Sequence, residues 1–445
     1  MVHKSIVSTN SLQKGRNNMN KENLLSKISK MSEEELRDLA CNTLDVETLN
    51  ILAKNENYEV RWAVAENKNT PVELLAVLAQ DEDYWVRCAV ALNKNTSADI
   101  LAMLAKDEES GVRCAVANNR NTSADILAML AKDVNVDVRC MVTDNKNTSA
   151  ETLAMLASDK EWWVRSAVAA NGNTSVEVLS MLTKDEDRNV RSEVAGNKNV
   201  STETLVMLAQ DEHWSVREQV ALNASTSADV LAELAKDVDI DVRWAVAGNK
   251  NIRVETLVML AQDEKWRVRS AVAWNENTPA DVLAMLAKDV DIDVRWAVAN
   301  NRNTPAEVLA MLATDEDYHV REAVAENKNT PIESLVKLAS DGEYNVRAYV
   351  VLNEKTPINT LAILAKDKNG DVRYNVARNI HSSPEMLSRL AKDEVVDIRV
   401  IVAENPNTPY NTLVILSKDK ELCVSENAKK ALKERKEKSK TCMER

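Results

Sequence analysis

From about residue 42 to residue 424, apolar and polar positions return in the same order every 26 residues: a Val-Arg or Ile-Arg pair places arginine at Arg61, Arg87, Arg113, Arg139 and onward to Arg373 and Arg399, 14 times without insertion or deletion. Self-similarity at a period of this length marks a solenoid, in which each repeat buries its apolar face only by stacking on its neighbours. In the repeat NKNTPVELLAVLAQDEDYWVRCAVAL, residues 67–92, the apolar positions take helical spacing twice. Leu75 and Leu78, whose columns are leucine in every repeat, and Ala79 beside them define the inner face of a first helix over about residues 71–80. Val86, Ala89 and Val90 do the same for a second over about 83–92. Thr70 reads as an N-cap, with Pro71 at the first helical position and Glu73 closing a capping box, and Asn93 as a helix C-cap or αL turn. No repeat offers a period-two alternation bounded by turn residues. The expected fold is therefore all-α: one elongated solenoid of about 14 tandem two-helix repeats.

The full pattern, T-P-x-x-x-L-x-x-L-A-x-D-x-x-x-x-V-R-x-A-V-A-x-N, resembles the leucine-rich repeat variant family, and its D-x-x-x-x-V-R element is similar to HEAT repeats. The resemblance implies a right-handed superhelix alternating α- and 3₁₀-helices, so that the second helix would be partly 3₁₀. Departures fall at the ends, with Ser425 in the arginine column of the last repeat and Cys41 where the asparagine should open the first. The expected domains are a basic, disordered tail over 1–21, an N-terminal capping helix over 22–40, the repeats over 41–424 and a basic capping helix and tail over 425–445. Members of the family can carry a cysteine-clustered iron–sulfur module before the repeats, but no closely spaced cysteines precede residue 41.

Composition narrows the class without naming a function. Apolar residues make up 44% and charged residues 29%, as in a soluble protein, and no apolar run approaches the length that spans a bilayer. The start, MVHKSIVSTNSLQKGRNNMN, has no apolar core of a secretory signal. A cytoplasmic location is expected, with a transit peptide as the lesser reading because acids are missing before Glu22. Cys88, Cys114 and Cys140 share one column, but stacked helices about 8–10 Å apart hold such thiols too far apart for a disulfide, which favours reduced cysteines. Residues 1–30 carry +5 and residues 425–445 carry +4, so the repeats hold −22 of the net −13. Such a balance speaks against general nucleic-acid affinity.

Phe is absent, and 14 of the 16 Trp and Tyr residues fall in four of the 26 columns: Tyr58, Trp62, Tyr84, Trp85, Trp162, Trp163, Trp214, Trp244, Trp266, Trp274, Trp296, Tyr318, Tyr344 and Tyr374. On a helical wheel these columns share the side of the second helix opposite Val86 and Val90. Uniform core columns beside variable, aromatic-rich outer columns read as a scaffold carrying an interaction surface, with Trp244, Trp266, Trp274 and Trp296 as its hot spot. By analogy with HEAT solenoids that side would be concave. The other reading is that the rings cover joints between neighbouring second helices.

The arginine column could form a basic track for phosphates. Each arginine from Arg87 on, however, follows an aspartate by six residues, as in Asp81 with Arg87, Asp107 with Arg113 and Asp211 with Arg217, which favours a structural ladder of rigid fork donors bridging loops. A methionine stripe that includes Met103, Met129 and Met155 is read as packing on the flank of the first helix. One loop carries a Lys/Arg rail (Lys68, Lys94, Arg120) and the other an acidic one (Asp81, Glu82, Asp83), read as solvated edges.

The histidines His3, His213, His319 and His381 share no column, and there is no glycine-rich phosphate loop and no metal-ligand spacing. No catalytic residues, metal or cofactor are expected. The reading is a non-enzymatic scaffold that binds a protein or extended peptide along its second helices; a nucleic-acid-binding or DNA-repair solenoid is the alternative.

Overall fold

The computed structural model describes residues 25–443, with side chains through residue 437, so the expected tail over 1–21 lies outside the described residues. Every described element is a helix, and the helices alternate as the period requires: Val72–Leu78 then Tyr84–Leu92, Ala98–Leu104 then Ser110–Asn118, and so on to Tyr410–Leu416. The chain divides into two compact units, Met1–Ser225 and Thr226–Arg445, each built from the same helix pair. None of the described helices is long and apolar enough to cross a membrane.

Both helices of a repeat are α-helical. The 3₁₀ character implied by the resemblance is confined to helix ends, where the Asn93 N–H donates to both Ala89 O and Val90 O and the Thr96 N–H to Asn93 O. The leucine columns form the core, with Leu75, Leu101, Leu127, Leu283 and Leu309 fully buried, and Val86, Val90, Val294 and Val298 close it from the second helix. Within each unit successive second helices pack side by side, whereas first helices stand farther apart. Closer spacing on one side puts the second helices on the inside of the local bend.

Two sequence assignments at the repeat corners need correction. Thr70 is not the N-cap: it is fully buried, and its Oγ1 donates to Val64 O at 2.5 Å, satisfying a carbonyl at the end of the preceding helix. Pro71, at φ −66°, holds the N-cap position without a side-chain cap, so Thr70 lies one residue outside the helix and no Thr70–Glu73 capping box forms. In repeats with serine at that column the serine takes over, as when Ser97 accepts from the Ile100 N–H. Asn93 does sit at the C-cap, but with φ −67° and ψ 135° rather than in αL, and no described residue has positive φ.

The reason lies in the preceding repeat. Asn93 Nδ2 donates to Ala65 O at 2.7 Å and Asn67 O at 3.0 Å, while its Oδ1 accepts from the Asn95 N–H. The same three bonds recur at Asn119 and Asn301, so the column is a buried asparagine ladder that fastens each repeat to its predecessor. Asn301 is 3% exposed, and Asn301→Ala would leave Ala273 O, Asn275 O and the Asn303 N–H short of partners. The expected cost is about 1–3 kcal/mol, read as a lowered urea midpoint.

At the N-terminus, the span expected as one capping helix over 22–40 is divided. A capping box between Ser32 and Glu35 starts a separate helix, Glu33–Asn42, after a short turn of helix at 25–28. At the other end Leu422–Met443 is one helix that buries Val424 and Ala428. Its Arg435 donates to Thr408 O and Pro406 O, closing carbonyls that a further repeat would otherwise meet.

Candidate partner-binding surface

Seven of the singled-out aromatics (Tyr58, Tyr84, Trp162, Trp214, Trp266, Tyr318 and Tyr344) are the first residue of a second helix. Trp62, Trp244, Trp296 and Tyr374 follow one turn later, and Trp274 closes its helix. Their rings are neither core nor free: Trp62, Tyr318 and Tyr374 are half-buried, and the others range from 38% exposed at Tyr84, Trp244 and Trp296 to 52% at Trp85.

Six of the rings meet one another in pairs. In the N-terminal unit Tyr84 lies 4.8 Å from Trp85 and Trp162 lies 5.8 Å from Trp163, edge to face. In the C-terminal unit Trp274 meets Trp296 of the following repeat edge to face at 5.5 Å, and the Arg267 guanidinium stands 5.9 Å from the Trp244 ring centre. Joint-covering and outward display thus coexist in the same side chains. Beside Trp274 a cleft of about 580 Å3 is lined by Asn300, Arg302, Glu326 and Lys328.

Cys88, Cys114 and Cys140 share this face as half-buried free thiols. Burial is the main cause that raises all three, and it pushes Cys88 up to about 11, so these thiols stay protonated at neutral pH and are poor nucleophiles. The methionine stripe is half-exposed, with Met103 at 42% and Met311 at 37%. Among the described residues no group of His, Cys, Asp and Glu could hold a metal ion.

The arginine ladder is present, but its rungs are offset from the expected pairing. Arg87 Nε and Nη2 grip Asp107 of the next repeat at 2.6 and 3.0 Å, and Arg113 grips Asp133 in the same bidentate way. The carboxylate of Asp81 serves Arg61 and that of Asp211 serves Arg191. The aspartate six residues upstream gives only its main-chain oxygen: Asp81 O to Arg87, Asp107 O to Arg113 and Asp211 O to Arg217, each at 2.8 Å from Nη1. One guanidinium therefore ties a loop of its own repeat to a carboxylate of the next, and its fork is spent on protein rather than offered to phosphate.

Electrostatics follow this geometry. Burial alone would raise the Asp107 carboxyl, but the Arg87 hydrogen bond, the Glu109 N–H and the charges of Arg87 and Arg113 outweigh it and hold it below the ordinary value of 3.8. The bond to Asp107 in turn raises Arg87 against its own desolvation. Sequence reasoning placed these residue types correctly and missed the asparagine ladder, for which the signal was an asparagine at one column of nearly every repeat.

The leucine rich repeat variant family model matches residues 58–83, 292–317 and 318–343. No curated protein matches the chain. Among solved structures, one of a leucine-rich repeat variant with a novel repetitive structural motif is 29% identical over 49% of this chain and 87% of that one, with a TM-score of 0.39. Yeast importin-β, Kap95p, is 12% identical over 90% of this chain and 61% of its own, with a TM-score of 0.34. A structure of Kap95p whose binding switches the loops of RanGDP to the GTP-bound conformation gives the same figures. The three matched stretches share their leucine, aspartate and Val-Arg columns with the other repeats, so what the family model recognises there recurs along the described helix pairs.

Proposed function

We propose that this protein is a non-enzymatic scaffold that binds a protein or an extended peptide along the face formed by its second helices. The observation that carries the reading is the concentration of half-exposed Trp and Tyr rings on that face, Trp244, Trp266, Trp274 and Trp296 above all, at 38–46% exposure. Rigid aromatic rings give large contact area for little lost side-chain entropy and dominate binding hot spots. The inner side of a local bend also lets an extended partner touch several repeats at once. Nucleic acid is disfavoured because the charged residues at the outer positions of these helices are mainly Asp and Glu.

The test is selection of peptide ligands from a display library on the full chain, followed by Trp244→Ala and Trp296→Ala. Each variant should keep a urea midpoint near that of the parent yet weaken selected peptides by about 2 kcal/mol or more. Normal binding by both variants, with stability lost as in a core deletion, would mean the rings only pack.

A further inference from the structure

Two second helices in the C-terminal unit carry the same residues, Ile-Asp-Val-Arg-Trp-Ala-Val-Ala: Ile240–Gly248 and Ile292–Asn300. Each places an aspartate and a tryptophan three residues apart on the outward side, Asp241 with Trp244 and Asp293 with Trp296. What faces them differs. Arg267 of the following repeat pairs with Asp241 at 3.1 Å and lies over the Trp244 ring, so carboxylate and ring together seat a guanidinium. At the second helix the column of Arg267 holds His319, which bonds to Asp317 beside it instead. Among the described residues no cationic side chain pairs with Asp293 or lies over Trp296, and one repeat further the tryptophan column holds Glu322, which makes no ion pair with a described residue.

Charge over the surrounding face has one sign. From Asp241 to Tyr374 the outward columns carry Asp241, Asp293, Glu322, Glu326 and Asp371 against Arg267 alone, and that arginine is already paired. The Lys/Arg residues nearby, Arg302 and Lys328, belong to the loop edge beyond Glu326.

We propose that Asp293 and Trp296, with Glu322 beside them, seat an arginine or lysine side chain of a basic, extended protein segment, as Asp241 and Trp244 seat Arg267. The proposal rests on the reading of the second-helix face as the binding surface and names the chemistry of its partner. A ring face attracts a cation, an unpaired carboxylate supplies a charge-assisted hydrogen bond, and the acidic surroundings steer a basic segment toward the seat. At about 3.3 Å per residue and 8–10 Å per helix, roughly ten residues would cross three or four repeats.

The experiment measures binding of a twelve-residue Gly-Arg repeat peptide to the full chain by calorimetry at low salt, beside equally long Gly-Glu and Gly-Ser peptides. The Arg peptide alone should bind. Asp293→Asn combined with Glu322→Gln should weaken it roughly tenfold. Gln keeps the shape of Glu322 and burial already disfavours the charged carboxyl, so the urea midpoint of the variant should stay near that of the parent. The decisive variant is His319→Arg, which supplies from within the cation that Arg267 supplies at the sister helix and should block the peptide to a similar extent while the urea midpoint holds. Arg-peptide binding indifferent to both variants would overturn the seat but leave the face in play, and equal binding of the neutral or acidic peptide would overturn the charge argument. Self-association lost in the same variants would make a second copy the occupant and overturn the basic partner. If no peptide of any charge binds while library-selected ligands do, the seat fails and the scaffold reading stands; if neither binds, both fail.

Discussion

Arg295→Ala is expected to destabilise the C-terminal unit by about 3–5 kcal/mol, the cost of breaking a buried ion pair from one side. Arg295 Nε and Nη2 grip Asp315 at 2.7 and 3.0 Å, while Nη1 holds Asp289 O at 2.9 Å and Val290 O at 3.2 Å. Both side chains are nearly buried, at 8% and 7% exposure, so truncation strands a carboxylate and two carbonyls in a joint with no room for full hydration. Arg295→Lys should recover only part of the loss, because an ammonium cannot reproduce the planar fork. Urea denaturation of the three proteins measures this, and a midpoint for the alanine variant equal to the parent's would remove the ladder from the account of stability.

Acid should undo the same ladder collectively. Asp107, Asp133, Asp159 and Asp185 in the N-terminal unit and Asp263, Asp289, Asp341, Asp367 and Asp393 in the C-terminal one share one balance: burial pushes each carboxyl up, and the bidentate arginine, a backbone N–H and neighbouring charges pull it further down, below 3.8. A folded-state value lower than the unfolded one means the native chain binds fewer protons there. The stabilisation is then fully present above the unfolded value and is lost as pH falls through the depressed ones. Their arginine partners stay charged throughout, so they add no second transition. Circular dichroism at 222 nm should report stable helix down to about pH 4 and cooperative loss below it. A chain equally resistant to urea at pH 7 and pH 2.5 would show that ionised rungs contribute nothing.

The two ladders also separate what a linear reading can reach from what it cannot. The 26-residue period, the leucine columns and the helix pair were legible because helical spacing and core burial act within one repeat, where neighbours in sequence are neighbours in space. Outward placement of the aromatic columns followed from the same geometry. At the corners the linear reading goes astray: it pairs Asp81 with Arg87, makes Thr70 an N-cap and allows Asn93 an αL turn. Each assignment sought the nearest group along the chain, whereas the structure sends the Arg87 fork to Asp107, Thr70 back to Val64 O and Asn93 to Ala65 O. Sequence by itself determined which residues are buried and which face outward, since periodicity encodes burial. Only the stacking of repeats decided which polar groups meet, because a fork donor or an amide reaches across the joint to the adjacent repeat, and that distance is short in space while it is 20 to 28 residues along the chain.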